Sequence, residues 1–194
     1  IAAPSAWDAP LPHPLLEHLR LDRRRDKRVL LELGLFRIVS DTHNGQVHML
    51  RRMPLDELLE RALKPDWRIT ELSEKDWELA FRPDVTRTYA IETLWWQLLP
   101  HLDFNDLPKV TDTLRLRTWP DLDAETTPAS WTLILAHLVY RRWQASELAA
   151  ITTASVTDVQ QVTALIRLSG LEALPSDRSI GMRASAVRHT NTLL

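Results

Sequence analysis

Apolar positions first gather at Leu15, Leu16 and Leu19, which predicts a short helix from Pro14 to about Asp22 running into the charged cluster Arg23-Arg24-Arg25-Asp26-Lys27-Arg28. Val29 to Ser40 is dense in Val, Leu, Ile and Phe, and leads through Asp41-Thr42-His43-Asn44-Gly45 into Gln46 to Leu50. Asn-Gly between two such runs signals a β-hairpin, because both residues tolerate the positive φ of a tight turn. Pro54 then stands at a first-turn position before Leu55, Leu58, Leu59 and Leu63, and Lys64-Pro65 stops the helix that this spacing predicts. Ser73-Glu74-Lys75-Asp76 has the form of a helix cap opening a short helix through Trp77 to Phe81, closed by Arg82-Pro83.

From Asp84 onward, Ile91, Leu94, Trp95, Leu98 and Leu99 recur at three-and-four spacing, so a buried core helix ended by Pro100 is expected. His101 to Lys109 reads as loop. Val110 to Trp119 alternates Leu114 and Leu116 with Arg115 and Arg117, the period of a half-buried strand whose other face is basic. Pro120 to Pro128 is short, acidic and rich in turn residues, and a boundary between two modules, 1–127 and 128–194, is placed there.

Three further helices follow from the pattern: Trp131 to Trp143, Ser146 to Thr153, and about Thr157 to Leu168. Ser146-Glu147-Leu148-Ala149, followed by Val156, Val159, Val162, Leu165, Leu168 and Gly170-Leu171, resembles the rhythm of winged helix-turn-helix domains over roughly Ser130 to Leu174. The resemblance implies that Ser146 caps the second helix, that Val156, Val159, Val162 and Leu165 turn inward with Trp131 and Leu148, and that Gly170 closes the third helix. One departure is plain: the turn before the third helix often carries Gly, and here it is Thr153-Ala154-Ser155. Beyond Leu171 to Leu174 no clear second wing strand is legible. The fold class expected is therefore α+β: an N-terminal mixed module with a β-hairpin and several helices, then a three-helix winged-helix-like module.

The outward positions of the third helix should be Thr157, Asp158, Gln160, Gln161, Thr163, Ala164 and Arg167, a nearly neutral set. From Ala129 on, six Arg stand against four acids, a net of about +2. Duplex affinity rests largely on neutralising phosphates with Lys and Arg, and Gln reads adenine edges only once that positioning exists. The neutral helix favours protein docking through Thr157, Asp158, Gln160, Gln161, Ala164 and Arg167, with DNA contact by the same residues as the alternative.

Composition narrows the chemistry. The chain has 194 residues, a formal net charge of −2 and no cysteine, which excludes disulfides, thiolate catalysis and cysteine-based metal sites. Its four glycines are scattered, so no phosphate-cradling loop is present. No apolar stretch approaches the ~20 residues of a membrane span, no membrane role is expected, and the cytoplasm is the favoured compartment. The opening at Ile1, rich in Pro and Ala to Pro14, lacks signal-peptide features and reads as an extended arm or the start of a piece of a longer protein. Eight tryptophans are expected chiefly to fill the core.

Arg115, Arg117 and Trp119 form a candidate anionic-ligand platform, set against a plain salt-bridged strand face. Arg23 to Arg28 reads as a solvated turn, diluted by Asp22, Asp26 and Glu32. No histidine pair has zinc-protease spacing, and His101 with Asp103 and Asp106 is the nearest approach to a ligand cluster, read as loop polarity. No serine elbow or acid pair marks a reaction. The expectation is a non-enzymatic regulatory or adaptor protein of bacterial type, without cofactor or metal, acting through protein contacts and open to homodimerisation. The alternative is a DNA-binding regulator whose N-terminal module senses a ligand or forms the dimer.

Overall fold

The computed structural model describes residues 6–98, 101–122, 125 and 127–174. The architecture is α+β. Helix α1 (Pro14–Glu17) precedes strands β1 (Val29–Leu33), β2 (Phe36–Asp41) and β3 (Gln46–Met49), then α2 (Leu55–Arg61) and β4 (Arg68–Glu71). Next come α3 (Glu74–Asp76), β5 (Arg87–Ala90), α4 (Ile91–Gln97), α5 (Ala129–Tyr140), α6 (Ala145–Thr152) and α7 (Val156–Leu168). Among the described residues no helix is long and apolar enough to cross a membrane.

The five strands form one antiparallel sheet in the order β4-β1-β2-β3-β5. The run from Val29 to Ser40 is two strands, not one: Gly34, at φ +59°, turns the chain so that Leu33 pairs with Phe36. The predicted hairpin at Asn44-Gly45 is present as β2 and β3, with Asp41 opposite Gln46 across a four-residue loop. Only Gly45 in that loop takes positive φ (+68°); Asn44 instead gives its backbone and side-chain N–H groups to the Asp41 carboxylate.

Both faces of the sheet are covered, which is why β1 and β2 read as continuous apolar runs rather than alternation. Val29, Leu31, Ile38, Val47 and Met49 face the main core, and Leu30 and Val39 meet Leu50, Leu72 and Trp77 on the other side. The segment carrying Trp77 is held by the predicted cap, Ser73 Oγ accepting from Asp76 N–H, and then widens into a single π-turn over Trp77–Phe81. Two strands have no sequence signal: β4 and β5 lie at the sheet edges and are almost wholly exposed, so burial imposes no apolar alternation on them.

The core helix α4 begins later than predicted, at Ile91, because residues from Arg87 are taken by β5. Ile91, Leu94, Trp95 and Leu98 are buried as expected, while Leu99 and Pro100 lie outside the described residues. Trp95 is fully buried and donates its indole N–H to the Leu19 carbonyl at 2.9 Å. Trp96 meets Trp131 of α5 edge-to-face, and one apolar cluster runs from Trp7 through α4 to Leu171. Six tryptophans fill the interior (Trp7, Trp67, Trp77, Trp95, Trp96 and Trp131), Trp143 is partly buried, and Trp119 alone keeps a largely exposed ring.

The three C-terminal helices form with shifted ends. α5 stops at Tyr140, since Arg141 is extended and Trp143 pairs its backbone with Leu114 in both directions. The cap of α6 is Gln144 rather than Ser146: its backbone N–H reaches the Glu147 carboxylate. Ser155 caps α7 by accepting from Asp158 N–H. Gly170, at φ +70°, ends α7 with Gly170 N–H bonded to the Arg167 carbonyl and Leu171 N–H to that of Ile166, the paired bonds of a Schellman turn. The expected strand from Val110 to Trp119 survives only as single bridges, Leu114 to Trp143 and Leu116 to Glu172. Those bridges attach the segment before the predicted boundary to the helices after it. Any wing beyond Leu174 falls outside the described residues.

Candidate functional site

Helix α7 carries most of the residues singled out from sequence. Val159, Val162 and Leu165 are buried with Trp131 and Leu148, as their spacing requires. Val156 is not: it is 62% exposed, because the Ser155 cap sets the start of the helix and leaves its first residue outside the contact with α5. Two outward assignments are corrected as well. Ala164 is 2% exposed and Thr163 fully buried, the Thr163 hydroxyl donating to the Val159 carbonyl at 2.8 Å.

Ala164 belongs to the main apolar cluster, and the segment from Asn105 to Lys109 lies along the outer flank of α7. Between them runs an open groove of about 410 Å³, lined by Asn105, Leu107, Pro108, Lys109, Thr157, Gln160, Gln161 and Ala164. The wall is anchored at three points. Asp103 Oδ1 accepts from the backbone N–H of Asn105, the His13 ring meets the Asp106 carboxylate at 3.2 Å, and Trp7 donates its indole N–H to the Lys109 carbonyl at 3.0 Å. The N-terminal arm thus fixes one side of the groove and α7 the other. His101 takes no part in a ligand cluster: among the described residues no three His, Asp or Glu gather so as to hold a metal ion.

Arg167, read from sequence as an outward cation, is committed inside the molecule. Its Nη1 and Nη2 donate to the two Asp112 oxygens at 2.9 and 3.0 Å, and its Nε and Nη2 donate to Glu172 at 2.7 and 3.1 Å. Burial opposes the charge, but the two carboxylates outweigh it and hold the guanidinium protonated above its ordinary range. Its carbon also sits 5.0 Å from the Trp7 ring centre, so the arm that anchors the groove wall packs on the same group. Asp158 is half-buried and faces inward enough for the Trp131 indole N–H to reach it at 3.4 Å. What remains for a visitor on α7 is Thr157, Gln160 and Gln161: one hydroxyl and two amides, all uncharged.

The second candidate set is dispersed in role. Arg115 is half-buried, with its carbonyl accepting from Ala173 N–H. Arg117 donates from Nη2 to the Gly170 carbonyl at 3.0 Å while its backbone N–H bonds Leu171, so it fastens the end of α7. Trp119 is 45% exposed. Near Arg117, burial lifts the Glu92 carboxyl above its usual range with help from Asp121, while Arg117 pulls the other way.

The Arg23 to Arg28 stretch is the expected turn between α1 and β1: Arg24, Asp26 and Lys27 are exposed, while Arg23, Arg25 and Arg28 are half-buried in ion pairs. Arg23 and Arg25 approach Glu17, Lys27 pairs with Glu71, and Arg28 bridges Asp41 and Glu74. Sequence reasoning missed the groove wall, since nothing local marks Asn105, Leu107, Pro108 and Lys109 as neighbours of a helix fifty residues on. Comparison with protein-family models, curated proteins and solved structures gives no match.

Proposed function

We propose that the chain is a non-enzymatic adaptor or regulatory unit that docks an extended segment of a partner polypeptide in the groove between residues 105–109 and α7. One observation carries this reading: the part of α7 that lines the groove is uncharged and walled, and the helix's guanidinium is already spent on Asp112 and Glu172. The side-chain amides of Gln160 and Gln161 each supply a donor pair and an acceptor, the inventory that matches a peptide group, and Asn105, which gives one amide hydrogen to Asp103, keeps its acceptor and a second donor. Leu107, Pro108 and Ala164 add an apolar floor for a side chain. A duplex asks for the opposite, several cations to neutralise phosphates and a helix that stands clear of its surroundings.

The test is selection of random peptides on the full chain, followed by titration of enriched peptides against variants. Gln160→Ala and Gln161→Ala should leave thermal unfolding unchanged and weaken peptide binding at least tenfold together. Peptides that bind the double variant equally well, or no enrichment at all, would defeat the reading. Random duplex DNA bound by the wild type, with affinity collapsing between about 50 and about 200 mM salt, would replace it with the DNA alternative.

A further inference from the structure

Lys109 is the one formally charged residue lining the groove on α7; the others present amides, a hydroxyl or apolar groups. Its side chain is exposed, and among the described residues its own chain supplies it no counter-ion. Asp106 meets His13, Asp103 accepts twice from Asn105, and Asp112 and Glu172 are taken up by Arg167 and Arg142, two acids against two cations. The base of the side chain is nevertheless fixed, because the Lys109 carbonyl accepts from the Trp7 indole and Leu107 and Val110 on either side are buried. An ammonium on a held backbone gives up less freedom on pairing than one on a mobile loop.

The charge also has a definite place along the groove. Trp7, which holds the Lys109 carbonyl, packs its ring centre 5.0 Å from the Arg167 guanidinium carbon, so Lys109 stands toward the C-terminal end of α7. Asp158 lies in the first turn of α7, at the opposite end. From Thr157 to Ala164 the helix rises about 10 Å, the length of about three extended residues.

We infer, resting on the peptide-docking reading above, that the occupant is a short extended segment bearing an aspartate or glutamate whose carboxylate meets the Lys109 ammonium. Uncharged residues of the segment lie against Gln160 and Gln161. The acid falls at the end away from Asp158, where attraction to Lys109 is not offset by a like charge. A basic residue at the same position meets repulsion, so the lysine fixes both the sign of the partner's charge and where along the groove it sits.

The test takes peptides selected on the full chain and remakes them with amidated C termini, so that any carboxylate belongs to a side chain. Enriched peptides should share one acid at a fixed position. Replacing that acid by its amide should weaken binding about fivefold, Lys109→Gln should do the same, and the two together should cost no more than either alone. Lys109→Glu should turn the preference toward peptides with Lys at that position. Both variants should melt like the wild type, since Lys109 is exposed. Enriched peptides without a common acid overturn the inference, as do losses that simply add when peptide and protein are both changed. Binding that requires a free C-terminal carboxylate overturns the side-chain assignment. In each of these cases the docking reading stands if Gln160→Ala with Gln161→Ala still weakens binding, whereas a failure to enrich any peptide removes both.

Discussion

Gly170 lies so close to Leu21 that a Cβ added to it would stand 2.9 Å from the Leu21 Cβ. The contact is continued by the backbone: Leu21 N–H donates to the Leu168 carbonyl at 2.8 Å. The C-terminal turn of α7 is thereby seated on the segment just after α1. Gly170→Ala would meet two penalties at once, positive φ for a residue with a Cβ and overlap with a packed leucine. We expect a loss of about 2–4 kcal/mol by urea unfolding. A variant within experimental error of the wild type would show that α7 does not depend on this seat.

Arg20 is the buried cation on which the N-terminal arm is organised. Its guanidinium is fully buried and donates to Asp22 at 2.6 and 3.0 Å, to Glu17 at 3.4 Å, and to the carbonyls of Trp7 and Ala9 at 3.1 and 3.2 Å. Removing one member of a buried ion pair strands the others. Arg20→Met should cost about 3 kcal/mol, and Arg20→Lys should recover part of it, keeping the charge but losing the fork. Because Trp7 holds the Lys109 carbonyl, Arg20→Met should also loosen the groove wall, read as faster amide exchange at residues 105–109. Unchanged stability in Arg20→Met would contradict this account.

These two sites show what the sequence made legible and what it did not. Periodicity located α4, α5 and α7 and most of their buried residues, because an inward stripe is a local property of a helix. Caps and turns were nearly as readable where one residue type dominates the geometry, as at Ser73, Gly45 and Gly170. The edge strands β4 and β5 left no trace, since Arg68, Thr70, Glu71, Arg87 and Thr88 answer to solvent. The site was harder still. Arg167 reads as free in the sequence because its partner lies 55 residues away at Asp112, and the groove is hidden because its far wall is the unpatterned stretch 105–109. Long-range contacts of an irregular segment have no period to read.

Two histidines make stability depend on mild acid. Burial is the main reason that both His18 and His48 are held below the ordinary imidazole range. Arg25 pushes His18 the same way against Glu17 and the Pro14 carbonyl, and Arg28 pushes His48 the same way against Asp41. With the folded value depressed, the unfolded chain takes up protons first as pH falls. The contribution is therefore complete above about 6.5 and shrinks below it until the folded imidazoles protonate too. Asp41 shifts in a lower window: burial would raise it, yet Asn44 and Arg28 together lower it, so its share is lost only under about pH 4. The urea midpoint should drop between about pH 7.5 and about pH 5.5, and the double variant His18→Gln, His48→Gln should flatten that slope. An equal slope in the double variant would assign the acid sensitivity elsewhere.

Thr153 occupies a left-handed conformation, φ +55° and ψ 10°, at the C-cap of α6, and among the described residues it is the only non-glycine with positive φ. A β-branched side chain crowds the backbone in that region, and no side-chain hydrogen bond among the described residues rewards it: Thr153 is exposed, and it is the neighbouring Thr152 hydroxyl that bonds the Leu148 carbonyl. Asparagine tolerates the left-handed region at less cost, and glycine at none, although glycine gains more freedom in the unfolded chain. Thr153→Asn should therefore stabilise by up to about 1 kcal/mol, with Thr153→Gly near or slightly above the wild type. Peptide binding in the α7 groove should stay unchanged in both, because the substitution relaxes the turn and touches no groove residue. Destabilisation by Thr153→Asn would mean that the hydroxyl or methyl of Thr153 holds the turn in a way its backbone strain conceals.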